Sequence, residues 1–201
     1  MIDIQYVFEL FGTVVFAISG ALAADERKKH DWFGIAVYAF ITAVGGGTLR
    51  DIFLNSYPLV WINDMNVIFS VFIGIILAGV FFNYFSRLRK TFMFFDTLGI
   101  ALFTIVGLEK AHSLGANDFI SVLMGMFTAV FGGVLRDILI NKTPTIFVQE
   151  IYATACIIGG IVYLILESLG IDRNSNFIIS GAVIAIIRII TVKYNLSLPK
   201  F

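Results

Sequence analysis

The sequence predicts an all-α integral membrane protein of seven transmembrane helices, built as two inverted three-helix repeats plus a seventh helix. Three observations carry that prediction: an apolar content above that of soluble domains, seven long apolar runs, and a signature that occurs twice. Of the 201 residues, 59% are hydrophobic and 14% are charged, and the mean hydropathy is +0.93. Soluble domains carry roughly 45–50% apolar and about 25% charged residues. The excess here lies in runs suited to a bilayer rather than to a large core. A net charge of zero offers nothing to a nucleic-acid partner.

The runs fall at Tyr6–Ala24, Phe33–Leu54, Val67–Phe85, Phe92–Ala111, Asp118–Ile140, Ile146–Leu166 and Phe177–Val192. A spanning helix needs about 20 residues, so the last is short. The connections leave no room for a soluble domain, and residues 1–201 read as a single transmembrane domain. Within it, residues 6–86 form the first repeat, 92–167 the second, and 175–193 the seventh helix. Met1-Ile2-Asp3-Ile4-Gln5 lacks the basic region of a signal peptide, so the first run is expected to be a retained helix.

Basic residues orient the chain. With the N-terminus outside, the inner side collects Arg27, Lys28, Lys29, Arg87, Arg89, Lys90, Lys142, Lys193 and Lys200, against Lys110 and Arg173 outside. The positive-inside rule then places the C-terminus in the cytoplasm.

The repeat is read residue by residue. Gly12, Phe16 and Gly20 recur 87 positions later as Gly99, Phe103 and Gly107. Thr42, Gly46, Gly47, Leu49, Arg50, Asp51, Ile52 and Pro58 recur 86 positions later as Thr128, Gly132, Gly133, Leu135, Arg136, Asp137, Ile138 and Pro144. Glu9 matches Asp96, and Asp64 matches Glu150. Three spans per half is an odd number, so the second half enters from the opposite side, as in inverted-topology transporters.

The second and fifth spans hold the candidate functional residues: Thr42, Gly45, Gly46, Gly47, Thr48, Arg50 and Asp51, then Thr128, Gly132, Gly133, Arg136 and Asp137. Consecutive glycines weaken a helix by about 1 kcal/mol each relative to alanine. They allow a bend or the close approach of a backbone or ion. An intramembrane Arg or Asp costs roughly 2.5–3.5 kcal/mol on insertion scales, which demands pairing or hydration. Arg50 has scope to snorkel outward. Sequence neighbours point about 100° apart, so Arg50 and Asp51 are expected to satisfy each other poorly. Two arrangements remain. In one, Arg50 meets Asp137 and Arg136 meets Asp51 across helices broken at midplane. In the preferred one, two local charge clusters bracket a glycine-lined zone. Freed carbonyls there, with hydroxyls of Thr42, Thr48, Thr128, Ser19 and Ser70, would replace part of a cation's hydration shell.

Other candidates read structurally. The sole cysteine, Cys156, sits in an apolar run and supports neither a disulfide framework nor a metal site. His30 is expected to be solvated and His112 interfacial. Glu9 and Asp96 suit the positive ends of the first and fourth helices, with a place in the permeation path as the alternative. Arg188 is expected to snorkel inward or anchor lipid, and the phenylalanines suit lipid-facing surfaces. No nucleophile with a base, cofactor site or metal cage is present, so an enzyme is not expected.

With Gly-Gly-x-x-Arg-Asp in both second helices of a 3+3+1 arrangement, the chain resembles the prokaryotic trimeric intracellular cation (TRIC) channels from Phe8 to about Val192. The resemblance implies a homotrimer in the prokaryotic inner membrane, with one pore per protomer. It also implies conduction of potassium and other monovalent cations such as sodium, past second and fifth helices kinked at Gly45, Gly46, Gly47, Gly132 and Gly133. Phe131 stands where the first copy has Gly45, so the kinks are not equivalent. The animal members' Lys-Glu-Val signature is absent, and their lipid and calcium regulation is not carried over. Related bacterial sequences labelled as possible glycine transporters keep a second reading open, a secondary transporter of a small zwitterion.

Overall fold

The computed structural model describes residues 3–25, 31–81, 91–148, 151–194 and 196. Arg27, Lys28, Lys29, His30, Arg87, Arg89, Lys90, Glu150 and Lys200 lie outside the described residues. Among those described, the chain is helical and contains no strand. Five helices are long and apolar enough to cross a membrane: α1 (Ile4–Asp25), α2 (Trp32–Phe53), α5 (Thr91–Ser113), α6 (Asp118–Leu139) and α9 (Arg173–Tyr194). Two apolar helices of 16 residues, α4 (Met65–Val80) and α8 (Ala153–Ser168), are shorter. Four-residue helices precede them, α3 (Val60–Asn63) and α7 (Thr145–Val148).

Three runs differ from the sequence expectation; one, expected at Val67–Phe85, has its helix end at Val80. The last helix is not short: α9 has 22 residues. Asp172 starts it early, because its carboxylate accepts the Ser175 N–H at 3.0 Å and its carbonyl the Asn176 N–H. That bond to the Ser175 N–H also holds the Asp172 carboxyl below its ordinary range. The run expected at Ile146–Leu166 is split, with α7 ending at Val148 and α8 beginning at Ala153.

α1 packs on α2, α4 and α5, while α6 packs on α5, α2 and α8, and α9 lies on α5 and α8. The repeat residues meet at these contacts. Phe16 of α1 stacks on Phe103 of α5, with centroids 5.2 Å apart and planes 7° from parallel. Gly99 faces the Phe16 ring and Gly12 the Phe103 ring, so each ring lies in the groove left by the other helix's glycine.

The glycines of α2 and α6 do the same with backbone. A side chain on Gly46 would collide with the Thr128 carbonyl, and one on Gly132 with the Thr42 carbonyl. Position 42 opposing 132 while 46 opposes 128 makes the two helices antiparallel where they touch. Neither helix breaks there; both are continuous α-helix through their glycines. The expectation of broken helices with freed carbonyls is therefore not met. The glycines are used for close approach, the small-residue packing common between membrane helices. Around this core the outward surface is apolar, with Trp32, Phe33, Phe119 and Phe147 exposed, as a hydrocarbon solvent requires.

Overpacking a tight core contact costs about 1–3 kcal/mol. Gly46→Ala and Gly132→Ala are each expected to lower the melting temperature in detergent by about 2–12 °C. Gly47→Ala is the control, because a Cβ there meets only Arg50 Nη2, at 3.7 Å. A shift as large for Gly47→Ala as for the other two would refute the contact argument.

Candidate functional site

Each signature ends in the same C-terminal cap. Asn55 and Asn141 take the left-handed conformation, with φ of 51° and 55°. Ser56 N–H then bonds the Asp51 carbonyl, and Lys142 N–H the Asp137 carbonyl, both at 2.8 Å. This is the Schellman pattern, with asparagine in the place glycine usually takes. It ends both helices just beyond the Arg-Asp pair and turns the chain toward α3 and α7.

The arginines are fully buried, so the expected snorkelling of Arg50 does not occur. Arg50 Nε donates to Asp51 Oδ1 at 2.8 Å and Nη2 to Glu9 Oε1 at 3.2 Å. Lys110, from α5, adds a contact to Asp51 Oδ1 at 2.8 Å. In the second copy, Arg136 Nε donates to Asp137 Oδ1 at 2.9 Å, and Nη1 to Asp96 Oδ1 at 2.6 Å and Ser19 Oγ at 2.9 Å. Phe92 covers this guanidinium at 4.4 Å.

Adjacent Arg and Asp do pair, contrary to the expectation from helical spacing. That spacing describes Cβ positions, whereas the long arginine side chain curls back across the gap. The cross-pairing of Arg50 with Asp137 and Arg136 with Asp51 is absent among the described residues, and two local clusters form instead. Each aspartate has a second duty. Asp51 Oδ2 accepts the Val60 N–H at 3.1 Å, and Asp137 Oδ2 accepts the Thr145 N–H and hydroxyl at 2.8 Å. The carboxylates thus fasten the following short helices to the signature.

The remaining candidates separate. Thr42 and Thr128 are buried, bond back to the Tyr38 and Met124 carbonyls, and pack against Gly20 and Gly107. Gly45 receives the Leu135 side chain, while Phe131, its counterpart, packs on Phe127. Thr48 bonds back to Val44 O and accepts the Trp61 indole N–H at 3.1 Å. Thr48, Gly47, Arg50 and Asp51 line a cavity of about 20 Å³ with Glu9 and Thr13. Space for a water begins at roughly 10–15 Å³ on this measure, so the cavity admits one small guest.

Several participants take roles other than those read from the sequence, or roles beyond them. Glu9 and Asp96 act as counter-ions rather than only as helix-end acids; their match across the repeat was the available signal. Arg188 is buried, donating to Ile151 O at 2.9 Å and lying 4.6 Å over the Tyr152 ring, so it does not snorkel. Arg173 ties α9 to Asp3, Gln5 and Glu109. His112 lies half-exposed 3.6 Å from Asp118. No group of three metal-ligating side chains occurs among the described residues.

Removing one partner of a buried pair costs about 3–5 kcal/mol. Asp96→Asn is therefore expected to destabilise the protein more than Glu9→Gln, whose side chain keeps 15% exposure. Double-mutant cycles on thermal unfolding should give at least about 1 kcal/mol of coupling for Arg136–Asp96, and under about 0.5 for Arg50–Asp137. Strong coupling of the latter pair would restore the cross-paired arrangement.

Comparison with known proteins agrees with this architecture. The family model described as glycine transporter matches residues 6–83 and 93–168. A UPF0126 membrane protein of Vibrio cholerae serotype O1 is 38% identical over 200 residues, covering 99% of this chain and 83% of that protein. The UPF0126 inner membrane protein YadS of Escherichia coli strain K12 is 37% identical over 198 residues, covering 98% and 95%. The solved TRIC trimeric intracellular cation channel orthologue from Rhodobacter sphaeroides superposes with a TM-score of 0.86 at 31% identity, over 96% of this chain and 99% of that one. The chain is thus a multi-pass membrane protein that belongs to the family described as glycine transporter, related to the UPF0126 proteins and to the prokaryotic TRIC channels.

Proposed function

We propose that this protein is a passive monovalent-cation channel, favouring K⁺ over Na⁺ with modest selectivity. The observation that carries the reading is the likeness, at 31% identity across 96% of the chain, to a protein described as a trimeric cation channel. By the same likeness the chain assembles as a homotrimer in the inner membrane, with a path in each protomer beside α2 and α6. The N-terminus lies outside and the C-terminus in the cytoplasm, and lipid surrounds the exposed apolar faces.

Seven crossings follow if α3 with α4, and α7 with α8, each make one. Sixteen residues rise about 24 Å, short of a hydrocarbon core of about 30 Å, and the short preceding helices extend the reach. The two segments matched by one family model, 6–83 and 93–168, favour a duplicated unit. The antiparallel contact of Gly46 and Gly132 with the partner helix favours inversion of one copy. In this reading Gly45, Gly46, Gly47, Gly132 and Gly133 shape the path. Thr48, with Arg50 and Asp51 behind it, presents the polar wall of the first half; Arg136 and Asp137 bound the second, and Thr42 and Thr128 set the crossing between them.

The rival reading is a secondary transporter of a small zwitterion such as glycine, favoured by the description of the family model. The cavity of about 20 Å³ suits a single water-sized guest. It is smaller than an amino acid, even glycine, so the transporter reading requires this cavity to open.

Purified protein in a planar bilayer should give discrete picoampere steps under a K⁺ gradient, with Gly46→Leu and Gly132→Leu abolishing them. Saturable glycine uptake into proteoliposomes without such steps would select the transporter instead.

A further inference from the structure

The second signature contains polar atoms that its charge network leaves over. Tyr152 is 1% exposed, and its hydroxyl has no hydrogen-bond partner among the described residues. Its ring is held against Arg188, so the hydroxyl is not free to turn outward. Arg136 is also buried. Its Nη1 serves Asp96 and Ser19, and its Nε serves Asp137. Its Nη2 lies 2.9 Å from Asp137 Oδ1 as an ion pair but makes no hydrogen bond. Leaving such donors unsatisfied in a buried site costs more than an average hydrogen bond contributes.

Both atoms converge on Gly133. A Cβ placed there would stand 2.9 Å from Tyr152 Oη, 3.5 Å from Arg136 Nη2 and 3.6 Å from Asp96 Oδ1. A donor, an acceptor and a hydroxyl that is both thus gather at the bare face of Gly133.

We propose that these three groups hold one water molecule in a niche between them, which accepts from Arg136 Nη2, donates to Asp96 Oδ1 and shares a hydrogen bond with Tyr152 Oη. The chemistry selects water over an ion. A cation would face the guanidinium, and an anion would face the carboxylates of Asp96 and Asp137. A neutral molecule with donors and acceptors satisfies all three groups, within the two to four partners usual for buried water. It also gives Gly133 a reason distinct from that of Gly132, which admits a neighbouring backbone. The first signature lacks this arrangement. A Cβ at Gly47 meets only Arg50 Nη2, and Asn66, which matches Tyr152 in the repeat, bonds Tyr6 Oη instead.

The test is a crystal structure of the full chain at about 2 Å or better, grown with bromide. The expected result is a density peak within about 3.2 Å of both Tyr152 Oη and Arg136 Nη2, without bromide anomalous signal. A direct Tyr152–Arg136 or Tyr152–Asp96 hydrogen bond closing the niche would overturn the proposal, as would bromide in it. A Gly133→Ala structure that retains the peak counts equally against it.

Discussion

Two guanidinium ions buried in a membrane protein constrain everything around them. Arg50 and Arg136 have no exposure, so neither bulk water nor headgroups can neutralise them. Each takes one carboxylate from its own helix and another from the preceding long helix, Glu9 on α1 or Asp96 on α5. That demand sets the pairing of α1 with α2 and of α5 with α6. It also places the arginines in the last turn of their helices, where the carbonyl end favours a cation. The aspartates carry the constraint onward: having met the arginine with one oxygen, they use the other to start α3 or α7. A signature that looks like a pair of functional charges is, in large part, a fastening between successive helices.

The glycines solve a different problem. Between membrane helices there is no hydrophobic driving force beyond that offered by lipid, so packing has to be close to be favourable. Gly46 and Gly132 bring α2 and α6 together against the Thr128 and Thr42 carbonyls. Thr42 and Thr128 fold their hydroxyls back onto their own helices. Thr42 and Thr128, which suggested a hydroxyl-lined zone, thus serve the crossing itself, and the polar lining of the cavity comes from Thr13, Thr48, Glu9, Arg50 and Asp51.

Most of the fold was legible because apolar length and a repeated signature survive in any one sequence. The long helices came within a few residues of their places, and the local charge clusters were the preferred arrangement. What the sequence hid was of three kinds. Side-chain reach hid the Arg50–Asp51 pair, since helical spacing counts Cβ directions and not the length of an arginine. Capping hid the early start of α9 at Arg173, where Asp172 reads as an ordinary loop acid until its hydrogen bonds are known. Tertiary approach hid Tyr152 and Lys110, which reach the signatures from elements distant in sequence, and hid that the Ser19 hydroxyl serves Arg136. The asparagines at 55 and 141 did carry a signal, an 86-residue repeat at the helix ends, but one easily overlooked beside the glycines.

The repeat is informative where it fails. Thr13 and Thr48 correspond to Ile100 and Val134, Gly45 to Phe131, and Lys110 to Ala23. The first half therefore gathers hydroxyls, a cavity and an extra ammonium around its arginine, whereas the second packs Phe92 and Tyr152 around its own. Formal charges follow the same division: two cations meet two carboxylates in the first cluster, and one cation meets two in the second. Separating either arginine from its carboxylates costs about 3–5 kcal/mol, far above thermal energy. Displacing neutral side chains such as Thr48 or Tyr152 carries no such electrostatic cost. The energetically accessible rearrangements therefore lie with those neutral groups, and they differ between two halves that otherwise share a backbone plan.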